Sequence, residues 1–254
     1  MIPKRHFYDE KSQSTLRFIE RWSQEVEGDT SLLLLDIDST LIDTSYRTAA
    51  IFKSFAEKKI HLQRYPEFCR LIALWEKNLY EVYDPIEFIN THTPSLYLTE
   101  TLKKNLYDYW YQRFFHPTWL SYDHAFSGAA TFAQNVAKHV HIGYLTGRCE
   151  PTLRDATKTQ LQTFQFPFTK DELLFMKPEK DIADLQFKSE GLKYFTNNFH
   201  NIIYIDNEIE LVEMSLSHFP NVETILFQSI HSGRGTLTHQ PKTLSSWVTS
   251  CSTP

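Results

Sequence analysis

Leu32, Leu33, Leu34 and Leu35 form an unbroken apolar run, which predicts a buried strand. Ahead of it, residues 12–25 place Leu16, Ile19 and Val26 near one face of an amphipathic helix, and Gly28, Asp29 and Thr30 end it. Beyond Asp38 the period changes. Phe68, Leu71, Ile72, Trp75 and Leu79 fall at i, i+3, i+4, i+7 and i+11, a helical stripe. Leu98, Leu102, Leu106, Trp110 and Phe114 recur every four residues and predict another helix. The block 45–124 therefore reads as all helical, with turns at Pro66, Pro85, Pro94 and Pro117.

After this block, helix and strand alternate. Residues 128–138 predict a helix with Ala129, Phe132, Ala133 and Val136 inward, and 140–145 a strand. Pro151 suits the first turn of a helix that continues through Leu153, Ala156 and Leu161. Strands follow at 173–176, 202–205 and 222–227, with helices at 183–195 and 208–216 between them. Strands separated by helices predict an α/β fold, a doubly wound parallel sheet of Rossmann-like type. The expected organisation is a core of residues 1–44 and 125–254 around an inserted helical block, 45–124. The tail from 236 is rich in Ser and Thr, with only Leu237, Leu244 and Trp247 to dock it.

Composition narrows the function classes. A net charge of −5 gives no electrostatic footprint for nucleic acid. No apolar run is long enough to span a membrane, and Met1-Ile2-Pro3-Lys4-Arg5-His6 lacks the apolar stretch of a secretory signal. Cys69, Cys149 and Cys251 are odd in number and far apart, which favours reduced thiols and a cytoplasmic setting.

The candidate chemistry lies at strand ends, where open α/β sheets bind ligands. The leucine strand runs into Asp36-Ile37-Asp38-Ser39-Thr40, the second strand into Thr146-Gly147-Arg148, and the fourth into Asp206-Asn207 with Glu210 a turn later. Lys177 and Lys188 lie between the last two. Carboxylates so close need a proton or a cation between them. Such an acid-rich site suits magnesium, a hard cation that prefers oxygen ligands, with Asp36 and Asp206 as carboxylate ligands. Asp36 is then a candidate nucleophile and Asp38 a candidate proton carrier, while Thr146 and a lysine bind the transferred phosphoryl oxygens.

In these residues the chain resembles the haloacid dehalogenase superfamily of phosphohydrolases. All four family motifs are matched in order. The resemblance puts the nucleophile on Asp36, the general acid/base on Asp38, the motif-two hydroxyl on Thr146 and the motif-four acid on Asp206. Asp38 matches the phosphatases of the family and not its dehalogenases. The motif-three lysine falls on Lys188 in preference to Lys177. Gly147 and Arg148 are expected to bind substrate. The implied metal ligands are Asp36, the backbone carbonyl of Asp38, and Asp206. The sequence departs from relatives that carry Asp-Asp in motif four, since Asn207 follows Asp206. The helical block corresponds to the family's cap domain. What the resemblance implies is magnesium-dependent hydrolysis of a small-molecule phosphorylated substrate through an aspartyl-phosphate, with no nucleic-acid partner and no membrane. A phosphotransferase or mutase on the same site, or a non-catalytic binding protein on a phosphatase fold, are the alternatives.

Other conspicuous residues have simpler readings. Asp43 or Thr44 suits a helix cap, and Ser39 and Thr40 suit a turn. His139 and His141 read as a packed or edge pair. Residues 231–235, His-Ser-Gly-Arg-Gly, read as a surface loop, and the aromatic run 107–115 as helix core.

Overall fold

The computed structural model describes residues 10–74, 99–168 and 170–248. Two compact units emerge, one made of Asp43–His124 and the other of the chain up to Ile42 and from Ala125 onward.

The second unit is built on six strands: β1 (Ser31–Leu35), β4 (His141–Cys149), β5 (Leu174–Lys177), β6 (Asn201–Asp206), β7 (Val222–Phe227) and β8 (Lys242–Leu244). Their order is β5-β4-β1-β6-β7-β8, and every pairing is parallel. β1 is central and wholly buried, which is why four leucines in a row are tolerated there. From β1 the chain builds outward on one side through β4 and β5, then returns to the other side of β1 with β6. The switch point thus lies at β1, and the crevice at its C-terminal end is where such sheets bind ligands.

Helices α1 (Glu10–Glu25), α6 (Ala129–Val136), α7 (Glu150–Thr163), α8 (Asp184–Asn198) and α9 (Ile209–His218) accompany the sheet. Leu16 and Ile19 of α1 are fully buried. Gly128 caps α6 at φ +83°, and a Cβ there would lie 2.6 Å from the Trp247 carbonyl oxygen, so no larger residue fits.

β8 adds a strand within the Ser/Thr-rich tail, where the sequence pattern predicts none. The segment Lys-Thr-Leu is three residues long with one apolar side chain, too short for an alternating pattern. Neighbours hold it: Thr15 Oγ1 of α1 donates to the Thr243 carbonyl at 2.8 Å, and Leu244 is fully buried. Trp247 is buried as well, stacks on Phe227 and donates through Nε1 to the Thr40 carbonyl at 2.9 Å. β4 is also longer than expected, running through Thr146-Gly147-Arg148 to Cys149 with a register shift between Thr146 and Cys149.

Two short strands, β2 (Ile42–Asp43) and β3 (His124–Ala125), pair where the chain passes between the units. The helical unit holds α2 (Ser45–Ala56), α3 (Lys59–Arg64), α4 (Pro66–Leu74), α5 (Glu100–Phe114) and a 3-10 turn at Pro117–Tyr122. Its core joins Ile51, Phe52 and Phe55 to Phe68, Leu106 and Trp110, as the four-residue spacing requires. Arg47 and Asp123 form a buried ion pair in which Nε donates to Asp123 Oδ1 at 2.8 Å. Thr44 is the N-cap of α2, and Asp43 just before it accepts from the Ser45 amide at 3.0 Å. Of the aromatic run, Tyr109 and Trp110 are buried, whereas Tyr107, Tyr111 and Phe115 are exposed. Trp75, Leu79, Pro85, Pro94, Leu98 and Cys251 lie outside the described residues.

Candidate active site

The strand register assembles the site. Leu35 lies beside Tyr144 of β4 and Ile205 of β6, so Asp36, Thr146 and Asp206 come together at one end of three adjacent strands. The Asp36 amide donates to the Ile205 carbonyl at 2.9 Å, which extends the pairing one residue past β1. The chain then turns tightly: Ser39 adopts φ +62°, uncommon for a side chain other than Gly or Asn. Its amide donates to the Ile42 carbonyl at 2.7 Å.

Lys188 joins the two acids. Its Nζ donates to Asp36 Oδ1 at 2.6 Å, Asp206 Oδ2 at 2.8 Å and the Leu145 carbonyl at 2.6 Å. Lys188 reaches this place because α8 lies close against β4. Gly191, one turn later, makes that approach possible, since a Cβ there would sit 2.4 Å from Leu145 Cδ1. Lys177 instead ion-pairs with Asp184 at the start of α8, near Gly147.

The site is buried and rich in charge. Asp36, Thr146, Lys188 and Asp206 are all buried. Burial pushes the Asp36 carboxyl up to about 7; Lys188 opposes this, while Asp206 and Asp38 add to it. Burial pulls the Lys188 ammonium down, but Asp206 and Asp36 outweigh it and raise its pKa above the ordinary value. Lys188 is therefore a fixed cation between two acids.

Tyr204 is a member of the cluster that sequence reasoning missed. Its hydroxyl donates to Asp206 Oδ2, and burial followed by the charges of Asp206 and Asp36 raises its pKa far above normal. The available signal was its place two residues before Asp206, on the same face of β6. Glu208 was missed too. Its amide donates to Asp206 Oδ1 at 2.8 Å, and its carboxylate accepts from the Ser232 amide at 3.0 and 3.1 Å. Glu208 thereby pins the 231–235 loop beside motif four. Glu210 is half exposed, 4.0 Å from Arg234. Asn207 bridges loops: Thr40 Oγ1 donates to its Oδ1 at 3.2 Å, and its Nδ2 donates to the Ile230 carbonyl at 2.6 Å.

Of the remaining expected residues, Thr146 Oγ1 accepts from the Arg148 amide at 3.3 Å. Gly147 packs against Asp184, where a Cβ would meet Oδ1 at 2.9 Å. The Arg148 guanidinium is engaged by Asp38 through two bonds of 2.8 Å. His141 begins β4 with its ring against Phe199, as a packed histidine does.

The donor set fits magnesium. Two carboxylates, Asp36 and Asp206, converge on a single cationic point, the Lys188 ammonium, and all the donors are oxygens. Among the described residues no three His, Cys, Asp or Glu side chains cluster to hold a metal.

No protein-family profile and no curated protein matches the sequence. Solved structures do resemble the fold. A hydrolase of the haloacid dehalogenase-like family from Streptococcus pneumoniae aligns with TM-score 0.52 at 11% identity, over 85% of this chain and 93% of its own. A candidate phosphatase from Clostridium difficile aligns with TM-score 0.53 at 10% identity, over 87% and 94%. Protein Tyrosine Kinase A of Mycobacterium tuberculosis aligns with TM-score 0.56 at 13% identity, over 86% and 94%. Six parallel strands in this order, with acids at the ends of β1 and β6 and a lysine between them, give the chain the haloacid dehalogenase-like fold.

Proposed function

We propose that this protein is a magnesium-dependent phosphatase acting on a small-molecule phosphate monoester. The observation that carries this reading is Lys188, whose ammonium bridges Asp36 and Asp206 beside Thr146 in a buried crevice. Asp36 attacks phosphorus through a carboxylate oxygen as the bond to the leaving oxygen breaks. Asp38 gives that oxygen its proton. A water then hands a proton to Asp38 and attacks the same phosphorus, breaking the bond to Asp36 and releasing inorganic phosphate. Lys188 and Thr146 hold the phosphoryl oxygens, where fixed charge does most of the work. Asp36, Asp206 and the Asp38 carbonyl would hold magnesium, which when bound offsets repulsion between carboxylate and phosphate.

In this reading residues 45–124 are the substrate-selecting cap domain, and Cys69 and Cys149, both free thiols, support a cytoplasmic setting. Transfer of the phosphoryl group to another acceptor is the second reading, favoured by the likeness to a protein named as a kinase. The test is a phosphate-release screen over phosphorylated metabolites in magnesium. Free phosphate is expected from the wild type and none from Asp36→Asn. Activity that survives this substitution overturns the mechanism, and a phosphorylated acceptor in place of free phosphate selects the second reading.

A further inference from the structure

All three guanidinium nitrogens of Arg148 donate to side chains. Nε donates to Asp38 Oδ2 and Nη2 to Asp38 Oδ1, both at 2.8 Å. Nη1 donates to Thr157 Oγ1 at 3.1 Å and to Gln160 Oε1 at 2.8 Å. The Arg148 side chain is 1% exposed and that of Asp38 23%. The carboxylate is thus partly exposed, and the guanidinium beside it is not.

We propose that Arg148 is a positioning residue that fixes the Asp38 carboxylate for proton transfer, with Thr157 and Gln160 of α7 holding the guanidinium in turn. The proposal rests on the phosphatase reading above. Asp38 lies in the tight turn beside Ser39, outside any regular strand. A planar guanidinium fork sets both the place and the plane of a carboxylate, which a lysine ammonium cannot do. The register shift in β4 after Thr146 re-aims the chain at the point where Arg148 crosses to motif one, 110 residues away in sequence.

The experiment is steady-state kinetics with p-nitrophenyl phosphate, whose leaving group needs little protonation, and with β-glycerophosphate, whose alkoxide needs much. Wild type, Asp38→Asn, Arg148→Met, Arg148→Lys and the double variant Asp38→Asn/Arg148→Met are compared. Arg148→Met is expected to lower kcat on β-glycerophosphate about 100-fold, with KM nearly unchanged. The loss on p-nitrophenyl phosphate should be smaller, which is the leaving-group dependence of Asp38→Asn itself. Arg148→Lys should fall between. On the Asp38→Asn background, Arg148→Met should cost less than about twofold, because the group it acts through is already gone.

A direct phosphate contact predicts the opposite: KM rises for both substrates, on both backgrounds, and that result overturns the proposal. Should Arg148→Met fail to fold, Gln160→Leu decides. It removes one anchor and is expected to lower kcat on β-glycerophosphate about fivefold; an unchanged kcat overturns the proposal. Where the wild type turns over neither of these, the same variants are compared on an alkyl phosphate that the metabolite screen yields; a wild type that releases phosphate from none of them removes the phosphatase reading, and this proposal with it.

Discussion

The acids of the site were legible residue by residue because position carries their meaning. A carboxylate at the C-terminal end of a buried apolar strand lies at the ligand-binding end of a parallel sheet, and Asp36, just after β1, and Asp206, the last residue of β6, both have that address. Lys188 had no such address. A lysine on a helix reads as a solvated charge, and only the tertiary structure brings its Nζ between two acids. Because each partner is buried, the cluster is sensitive to losing its cation. Lys188→Met should destabilise the protein by about 3–5 kcal/mol by leaving the buried Asp36 and Asp206 without their shared counter-charge. It should also lower kcat at least about 100-fold. Urea denaturation and phosphate release measure the two effects separately. Retention of either stability or activity would show that Lys188 is not the fixed cation described above.

At the scale of elements, periodicity found the long helices and the buried strands but not the pieces whose order is borrowed from neighbours. β8 is recognisable only once α1 and β7 flank it. The close approach of α8 to β4 was equally hidden, because a glycine within a helical pattern reads merely as a weak helix former. Gly191 connects packing to chemistry, since it lets the helix lie close enough for Lys188 to reach the Leu145 carbonyl. Gly191→Val should cost about 1–3 kcal/mol through overpacking against Leu145 and Phe175. It should also reduce kcat, because the helix that carries Lys188 must shift. A variant with a lower melting temperature but wild-type kcat would separate the two roles.

At the scale of the whole molecule, one prediction concerns acid. The Glu213 carboxylate of α9 is held down to about 2, chiefly by the Thr238 hydroxyl, with the Thr238 amide, the His239 ring and the His239 amide adding to it. Its folded pKa lies below the ordinary 4.5, so it stabilises the fold above pH 4.5. That contribution falls away as the pH drops through about 2. The link is solvent-exposed, so the effect should be modest and local. Hydrogen exchange at the Thr238 and His239 amides should accelerate over this window. In Glu213→Gln it should change little with pH beyond the intrinsic rate; an identical profile in both proteins would show that the carboxylate is not the anchor.

Sequence by itself determined the alternation of strand and helix, the parallel sheet and the chemical identity of its strand-end residues. Local hydrophobic period and the punctuation of Gly and Pro are read within a few residues of one another, so no folded context is needed. Tertiary structure alone decided that the Lys188 ammonium reaches both acids, that Tyr204 and Glu208 hold Asp206, that the tail adds a sixth strand, and that Arg148 grips Asp38. These are contacts between residues far apart in the chain. Their partners are selected by strand register and by how closely helix and sheet approach, and neither leaves a local pattern.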